Sequence, residues 1–236
     1  MVAPALDWIE PVEALEAQGF RAFTTTRAAG SFATAGTEPV GDVMARWRRV
    51  QAELAAGGPR FATSTQVHAD TVLVHGTGWE GWLRGGAADG HFSAERGTGM
   101  AVTVADCVPV FITHPSGAAA LLHSGWRGTA ARIVEQGIAC FAARGLRAQE
   151  LSVHAGPAIC GRCYEVSADV YAALTGVRAD AARTVDLRAL IADHARAAGV
   201  GDVTVSARCT RCDNDRFYSH RAGDAGRQVA ALVAPA

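Results

Sequence analysis

The sequence predicts an α/β or α+β domain built on mixed sheets. Short apolar segments rich in β-branched residues recur along the chain, and amphipathic helical patterns with cap residues lie between some of them. The two patterns do not alternate strictly, as they would in a series of βαβ units. The 236 residues are 49% hydrophobic and 19% charged, a composition that suits one large compact domain or two small ones.

Helical periodicity is clearest in the N-terminal half at Val43, Trp47, Val50 and Leu54, and two glycines follow as a stop signal. Weak alternation and β-branched runs predict strands on either side of this helix. Segments dense in glycine, serine and threonine predict loops. The predicted elements are strands at 20–26, 61–67 and 71–75, a helix at 43–56, and loops at 30–41 and 76–90.

The strongest apolar run of the chain covers residues 100–113 and is interrupted by Asp106, Cys107 and Pro109. Because a central strand rarely carries a proline, this run predicts two strand pieces that meet at a bend, or one edge strand. Serine and aspartate caps and terminal glycines bound the helices that follow. The remaining predicted elements are strands at 118–122, 151–155 and 203–207 and helices at 129–143, 167–174 and 187–198.

Charge and hydropathy exclude several classes of protein. The formal net charge of −1 provides no basic surface for nucleic acid or for anionic lipids. Four acidic residues in the first twenty positions argue against a signal peptide. No apolar run approaches the roughly 18 residues that a membrane span requires. We therefore expect a cytoplasmic enzyme that acts on a small molecule, with no nucleic acid and no membrane as partner.

Three short segments each place a metal-ligating residue at the edge of an apolar strand, namely His68, Cys107 and His123. Each residue taken alone is more often structural than functional. Strand ends, however, are where active-site residues collect in sheet proteins. Two imidazoles and a thiolate suit zinc, and three protein ligands leave a fourth position open for water or substrate. Together they predict a catalytic zinc site.

Two neighbouring residues are candidates for catalysis. Asp106 lies beside Cys107 and could orient a histidine or act as a general base; a turn-forming or salt-bridged aspartate explains it equally well. Arg127 lies where a strand passes into a helix, and its guanidinium with the free N–H groups there would bind phosphate or a carboxylate. The alternative is that Arg127 pairs with Asp106 or Asp89.

Four of the six cysteines form two Cys-x-x-Cys pairs, Cys160 with Cys163 and Cys209 with Cys212. Such pairs occur in structural zinc sites and in redox dithiols. The 45 residues between the pairs exceed the usual zinc-ribbon spacing of about 15–20, which argues against a shared site. Neither pair clearly opens a helix after a strand, which argues against a redox motif.

The segment 209–221 is dense in arginines and aromatic residues, which predicts either contact with a nucleotide base or a solvated network of arginines and aspartates. Elsewhere the chain lacks a Walker loop and a serine nucleophile elbow. Gly76, Gly78 and Gly81 do match Gly-x-Gly-x-x-Gly after the strand predicted at 71–75, but the loop predicted at 76–90 opens no helix, as a dinucleotide-binding motif would require. ATP-dependent, Rossmann-type and α/β-hydrolase functions are therefore disfavoured.

Several motifs resemble those of the bacterial laccase-domain family, whose members are known as multicopper polyphenol oxidases, purine nucleoside phosphorylases or peptidoglycan editing factors. The resemblance implies a single domain over residues 1–236, folded as a four-layer α/β/β/α sandwich with mixed sheets. It also implies that His68, Cys107 and His123 bind the family's metal, usually zinc. The motifs are at residues 23–27, 66–68, 105–110, 123–128, 163–166, 209–212 and 226–227.

The function that the resemblance implies is a zinc-dependent purine nucleoside phosphorylase that also deaminates adenosine. Its substrates would be phosphate with adenosine, inosine, guanosine or methylthioadenosine, and the enzyme would be a monomer or homodimer. Cys107, Asp106 and Arg127 are then the catalytic candidates. Arg27, Arg127 and Glu165 are the candidates for substrate contacts.

The chain departs from the family pattern at residues 31–34, where a Ser-Leu-Asn-type segment is reduced, and at Ala69, Ser124 and Arg162. None of these changes removes a metal ligand, but the altered loop bears on substrate preference. Three other functions stay open. They are a zinc amidase acting on mis-built UDP-muramyl precursors, a copper polyphenol oxidase, which would need more histidines, and a non-catalytic module whose zinc is closed by Cys163 or Cys209.

Overall fold

A computed structural model describes residues 7–236, so the first six residues of the predicted domain lie outside it. The helices are α1 (Glu13–Glu16), α2 (Val40–Ala55), α3 (Trp126–Ala130), α4 (Ile133–Ala142), α5 (Ala168–Thr175) and α6 (Leu187–Ala197). The strands are β1 (Ile9–Pro11), β2 (Arg21–Thr25), β3 (Arg60–Thr65), β4 (Val72–His75), β5 (Gly81–Ala87), β6 (Gly90–Ser93), β7 (Thr98–Val104), β8 (Val108–Thr113), β9 (Ala119–Ser124), β10 (Ser152–Ala155), β11 (Glu165–Val166), β12 (Arg183–Thr184), β13 (Asp202–Val205) and β14 (Gln228–Val233).

Most of the strands form two six-stranded sheets. The first has the order β1-β2-β14-β7-β3-β5, antiparallel from β1 to β7 and parallel from β7 through β3 to β5. The second has the order β13-β10-β8-β9-β6-β4, with parallel pairs at its two edges and antiparallel pairs between them. Both sheets are mixed, as the sequence predicted.

The two sheets pack face to face and a helical layer covers each outer side. Met100 and Leu232 of the first sheet share a buried cluster with Phe111 and Leu121 of the second. Helix α2 covers the outer face of the first sheet, and α4 with α6 covers the outer face of the second. The α/β/β/α order of layers is therefore confirmed.

The run at 100–113 forms two strands in different sheets, β7 and β8, joined by a bend at Asp106 and Cys107. The alternative of a single edge strand is wrong, because β8 lies between β10 and β9. Pro109 is tolerated as the second residue of that interior strand. Its carbonyl still accepts a hydrogen bond from Gly156 N at 2.9 Å.

Three expectations differ from the structure. Residues 81–87, expected as a loop, form edge strand β5, which pairs in parallel with β3 and buries Trp82 against Trp47 and Phe61. The helix expected at 129–143 is divided into α3 and α4 because Arg132 adopts φ 62°. Strand β14 was not expected. Both of its faces are buried, so it reads as a continuous apolar run without alternation.

Two histidines form a buried pair at the edge of the second sheet. His75 Nε2 lies 3.0 Å from His91 Nδ1, and Ser64 Oγ lies 3.3 Å from His91 Nε2. Burial, together with the nearby charge of His75, lowers the pKa of His91 to about 3. The pair is therefore neutral at ordinary pH, and the structure places it in the sheet as hydrogen-bonded packing.

We predict an acid-sensitive stability that depends on His91. The unfolded chain binds a proton to this residue below about pH 6.5, whereas the folded chain does so only near pH 3, so stability is full above 6.5 and falls as the pH drops. At pH 5 the loss from this one group is about 2 kcal/mol in the free energy of unfolding. Urea unfolding at pH 7 and pH 5 measures it.

His91→Gln is the test variant and His220→Gln, at an exposed histidine, is the control. We expect the difference in stability between the two pH values to shrink in the first variant and to match the wild type in the second. An equal loss in all three proteins would contradict the prediction.

Candidate metal centre

The structure brings His68, Cys107 and His123 together from three places in the chain. His68 follows β3, Cys107 lies in the bend between β7 and β8, and His123 lies within β9. Their potential ligand atoms lie within 4.8 Å of one another. His68 is exposed, Cys107 is half-buried and His123 is buried, so the cluster opens toward solvent on the side of His68. This geometry fits the predicted set of three ligands.

The carboxylate of Asp89 organises two of these ligands. It is fully buried, and its Oδ1 accepts a hydrogen bond from His123 Nδ1 at 2.8 Å. Its oxygens also accept the backbone N–H groups of Val67, His68 and Ala69 at 2.8–3.1 Å. Burial opposes ionisation of Asp89, but these donors outweigh it and lower the carboxyl pKa.

The bond from Asp89 fixes the histidine tautomer. Because Nδ1 of His123 donates to the carboxylate, Nε2 is the ring nitrogen that stays free to bind a metal. The three backbone bonds hold the loop at His68, whose φ of 60° is uncommon for a residue with a side chain. From the sequence, Asp89 is a candidate only as a partner for Arg127. Its signal was weak, because nothing local links it to residues 21 and 34 positions away.

Without a bound metal, Cys107 and His123 form an ion pair of a thiolate and an imidazolium. Burial alone would raise the pKa of the Cys107 thiol, but the charge of His123 and hydrogen bonds from both histidines lower it to about 6. Burial alone would lower the pKa of His123, but Cys107 and Asp89 raise it to about 9. A thiolate is therefore ready as a ligand, while His123 must lose a proton when a cation binds.

The donor set fits zinc. One sulfur and two imidazole nitrogens are ordinary zinc ligands, and His123 has the carboxylate partner that metal-binding histidines usually have. Within residues 7–236, no fourth histidine, cysteine, aspartate or glutamate side chain joins this group of possible metal ligands. Cys163 and Cys209, considered as closing ligands, belong to a separate cluster with Cys160 and Cys212.

Gly125 provides the room that the cluster needs. A Cβ atom at this position would lie 2.9 Å from Cys107 Sγ and 3.2 Å from His68 Cδ2. Its φ of −82° and ψ of −175° are accessible to any residue, so space and not backbone conformation requires the glycine. The Gly-Trp-Arg-Gly motif therefore contributes to the metal centre at its first residue.

The catalytic candidates Asp106 and Arg127 have different surroundings. Asp106, at φ 82°, accepts hydrogen bonds from Thr210 Oγ1 at 2.6 Å and from Arg221 N at 2.7 Å. Arg127 is exposed and its guanidinium stacks on Trp126 at 4.5 Å. The pairing of Arg127 with Asp106 or Asp89 is not formed, because other donors occupy both carboxylates.

Tyr164, part of the motif at residues 163–166, adds a phenol near the cluster. Burial, followed by the negative charge of Cys107, raises its pKa, and Asp106 adds to this effect. The guanidinium of Arg221 lies over the Tyr164 ring, 5.0 Å from its centre. Tyr164 therefore belongs to the electrostatic surroundings of Cys107.

The two remaining candidates for substrate contacts lie in structural networks. Arg27 donates to the Asp224 carboxylate at 2.5 Å and to Asn214 O at 2.6 Å, and it stacks on Tyr218 at 4.4 Å. Glu165 is exposed in the short strand β11, and its carbonyl accepts a bond from Arg221 Nη2 at 3.0 Å. Their roles toward substrate stay predictions.

Comparison with known proteins identifies the family of this chain. A family model described as multi-copper polyphenol oxidoreductase laccase matches residues 26–235. A purine nucleoside phosphorylase of Mycobacterium tuberculosis is 35% identical over 231 residues, covering 90% of this chain and 91% of that protein. One from Deinococcus radiodurans is 33% identical over 201 residues, covering 79% and 75%. The crystal structure of YlmD from Geobacillus stearothermophilus has a TM-score of 0.82 at 27% identity, covering 91% of this chain and 92% of that one.

The chain therefore belongs to the multi-copper polyphenol oxidoreductase laccase family, as its motifs predicted. Relatives named as phosphorylases indicate an enzyme that acts on small molecules. The residues that could bind a metal are present, while the family description itself refers to copper. Within residues 7–236, no helix is both long enough and apolar enough to cross a membrane.

We predict that Gly125→Ala weakens metal binding. The added methyl group would displace Cys107 Sγ or His68, so the dissociation constant for zinc should rise by about tenfold or more. Competition with a chromophoric chelator measures the constant. Gly41→Ala in α2 is the matched control, since a Cβ there meets no atom within 4 Å. Equal zinc affinity in both variants would refute the role of Gly125.

Proposed function

We propose that this protein is a zinc-dependent purine nucleoside phosphorylase that also deaminates adenosine, with adenosine, inosine, guanosine and methylthioadenosine as substrates. The observation that carries the proposal is the solvent-facing cluster of His68, Cys107 and His123 with three protein ligands. The names of relatives at 33–35% identity support the substrate class.

The protein's own residues prepare this site for a cation. Asp89 holds His123 with Nε2 free, and the same carboxylate holds the His68 loop by accepting hydrogen bonds from its backbone N–H groups. Cys107 is available as a thiolate. When bound, zinc would supply a Lewis acid and would lower the pKa of a bound water to about 7. His68 is the exposed ligand, so the nucleoside would approach from its side of the cluster.

Arg127 is the residue that we assign to phosphate. Its guanidinium is exposed and is held against the Trp126 ring, and no carboxylate of the metal centre neutralises it. Its positive charge acts to lower the pKa of Tyr164, the same phenol whose pKa the charge of Cys107 raises. Arg127 therefore lies close enough to act on the surroundings of Cys107. Helix α3 has only five residues, so we attribute anion binding to the side chain and not to the helix dipole.

Departure of the purine requires a hydrogen-bond donor. Tyr164 fits this role, because its raised pKa keeps the phenol protonated at neutral pH and because it lies near Cys107. Asp106 fits less well as a general base, since both of its oxygens already accept hydrogen bonds. We assign Asp106 to positioning of the bend that carries Cys107.

An amidase acting on muramyl peptides would use the same three ligands, and a polyphenol oxidase would load copper in their place. A substrate panel separates these functions. Adenosine with phosphate should give adenine and ribose 1-phosphate, and adenosine with water alone should give inosine. If neither product forms with zinc-loaded protein while a muramyl peptide is cleaved, the amidase replaces the phosphorylase. Phenol oxidation with bound copper would favour the oxidase.

We predict that Cys107→Ala abolishes phosphorolysis and deamination and removes one metal ion per chain relative to the wild type. The thiolate is the one anionic ligand of the cluster, so its loss removes most of the attraction for a cation. Metal analysis and nucleoside assays measure the two effects. Cys140→Ser, at a cysteine on α4 outside the cluster, is the control. An unchanged metal content in Cys107→Ala would exclude Cys107 as a ligand.

We predict that Arg127→Ala raises the KM for phosphate about tenfold, because one charge-assisted contact is lost at an exposed site. Deamination uses no phosphate, so its rate should change little in the same variant. Initial rates at varied phosphate measure the effect, with Arg48→Ala, at an exposed arginine of α2, as the control. An unchanged KM for phosphate would remove Arg127 from this role.

A further inference from the structure

Four cysteines form a second cluster outside the proposed catalytic centre. The sulfur atoms of Cys160, Cys163, Cys209 and Cys212 lie within 4.8 Å of one another, although the two pairs are far apart in sequence. All four are free thiols, and Cys163 Sγ lies 3.5 Å from Cys212 Sγ. This distance is well above the about 2.05 Å of a disulfide bond.

Backbone pairing explains how the two segments meet. Ala158 and Cys209 form a parallel bridge, and Thr210 N donates to Ala158 O at 3.2 Å. Each Cys-x-x-Cys then turns back on itself, with Cys163 N bonded to Cys160 O at 2.9 Å and Asp213 N bonded to Cys209 O at 2.8 Å. Two similar turns therefore lie side by side, and each turn directs its two sulfur atoms toward the same point.

Backbone N–H groups also point at one sulfur of the cluster. Cys209 Sγ accepts the N–H groups of Cys160 at 3.2 Å and Cys212 at 3.4 Å. The bond from Cys160 links the first cysteine pair to the second, and both bonds fix the position of the Cys209 sulfur. Cys209 is buried at the base of the cluster, whereas Cys212 is exposed at its rim.

We propose that these four cysteines bind a structural zinc ion. Tetrahedral coordination at a Zn–S distance of about 2.3 Å places the sulfurs about 3.8 Å apart, and the free cluster is already close to that spacing. Four protein ligands leave no position for water or substrate, so this site is closed and structural. It shares no ligand with the cluster of His68, Cys107 and His123.

A zinc ion bound by the four cysteines would also affect the proposed catalytic centre, because the cysteine pairs lie next to residues that hold the bend at Asp106. The bend at Asp106 receives a bond from Ile159 N, next to the first cysteine pair, and one from Thr210 Oγ1, between the cysteines of the second pair. An ion that joins the two pairs would fix both donors. It would thereby stabilise the bend that presents Cys107.

Metal analysis of the full chain tests the proposal. We expect two zinc ions per chain in the wild type and in Cys140→Ser, one in Cys107→Ala, and one in the double variant Cys163→Ser/Cys212→Ser. This double variant removes one ligand from each pair at less buried positions. X-ray absorption of Cys107→Ala should give four sulfur neighbours at about 2.3 Å. The double variant should also unfold at a lower temperature.

Several results would overturn the proposal. These are a Cys107→Ala protein without zinc, iron in place of zinc, or a disulfide among the four cysteines detected by intact mass under non-reducing conditions. The Cys107→Ala measurement needs no folded double variant, so a failure of that variant to fold would not prevent the test. Metal analysis of Cys107→Ala measures only the zinc bound at the four cysteines. Its result therefore does not depend on the proposed nucleoside chemistry.

Discussion

The buried carboxylate of Asp89 is the constraint on which the metal centre depends. An unpaired charge at this depth would cost several kcal/mol, and four hydrogen-bond donors offset that cost. Those donors belong to the loop at His68 and to the ring of His123. The backbone adds a further link, because His123 N donates to Asp89 O at 2.7 Å. One side chain thus sets the relative position of two ligands that are 55 residues apart in sequence.

The packing of the two sheets brings the third ligand, Cys107, to the other two. Strands β3 and β7, which lead to His68 and Cys107, belong to the first sheet, whereas β9 with His123 belongs to the second. The chain crosses between the sheets at the bend after β7, so Cys107 lies on the seam. A metal at this point would hold both sheets, and rearrangement of the apolar layer between them would disperse the ligands. Fold and site are therefore coupled through the core that Met100, Phe111 and Leu121 share.

Much of the fold, and the grouping of His68, Cys107 and His123, could be predicted because their signals are local. Helical spacing identified α2, and the interruption at Asp106 and Pro109 identified the bend. Asp89 could not be predicted in its role, since its partners are brought to it only by the finished sheets. The four-cysteine cluster was disfavoured for a related reason. The spacing rule for zinc ribbons applies when the two cysteine pairs are close in sequence. Here the pairs are far apart, and a backbone bridge between Ala158 and Cys209 brings their two turns together.

Asp106 connects the two clusters physically. A left-handed residue with a side chain costs roughly 1 kcal/mol or more, and this one is held by Thr210, by Arg221 and by Ile159 N. Ile159 directly precedes the first cysteine pair, Thr210 lies within the second pair, and Arg221 lies nine residues after Cys212. The position of Cys107 therefore depends on residues that are 52, 103 and 114 positions further along the chain. A closed site that rigidifies those segments would hold the bend that presents Cys107, so that the open site keeps its exposed, unsaturated face without losing its geometry.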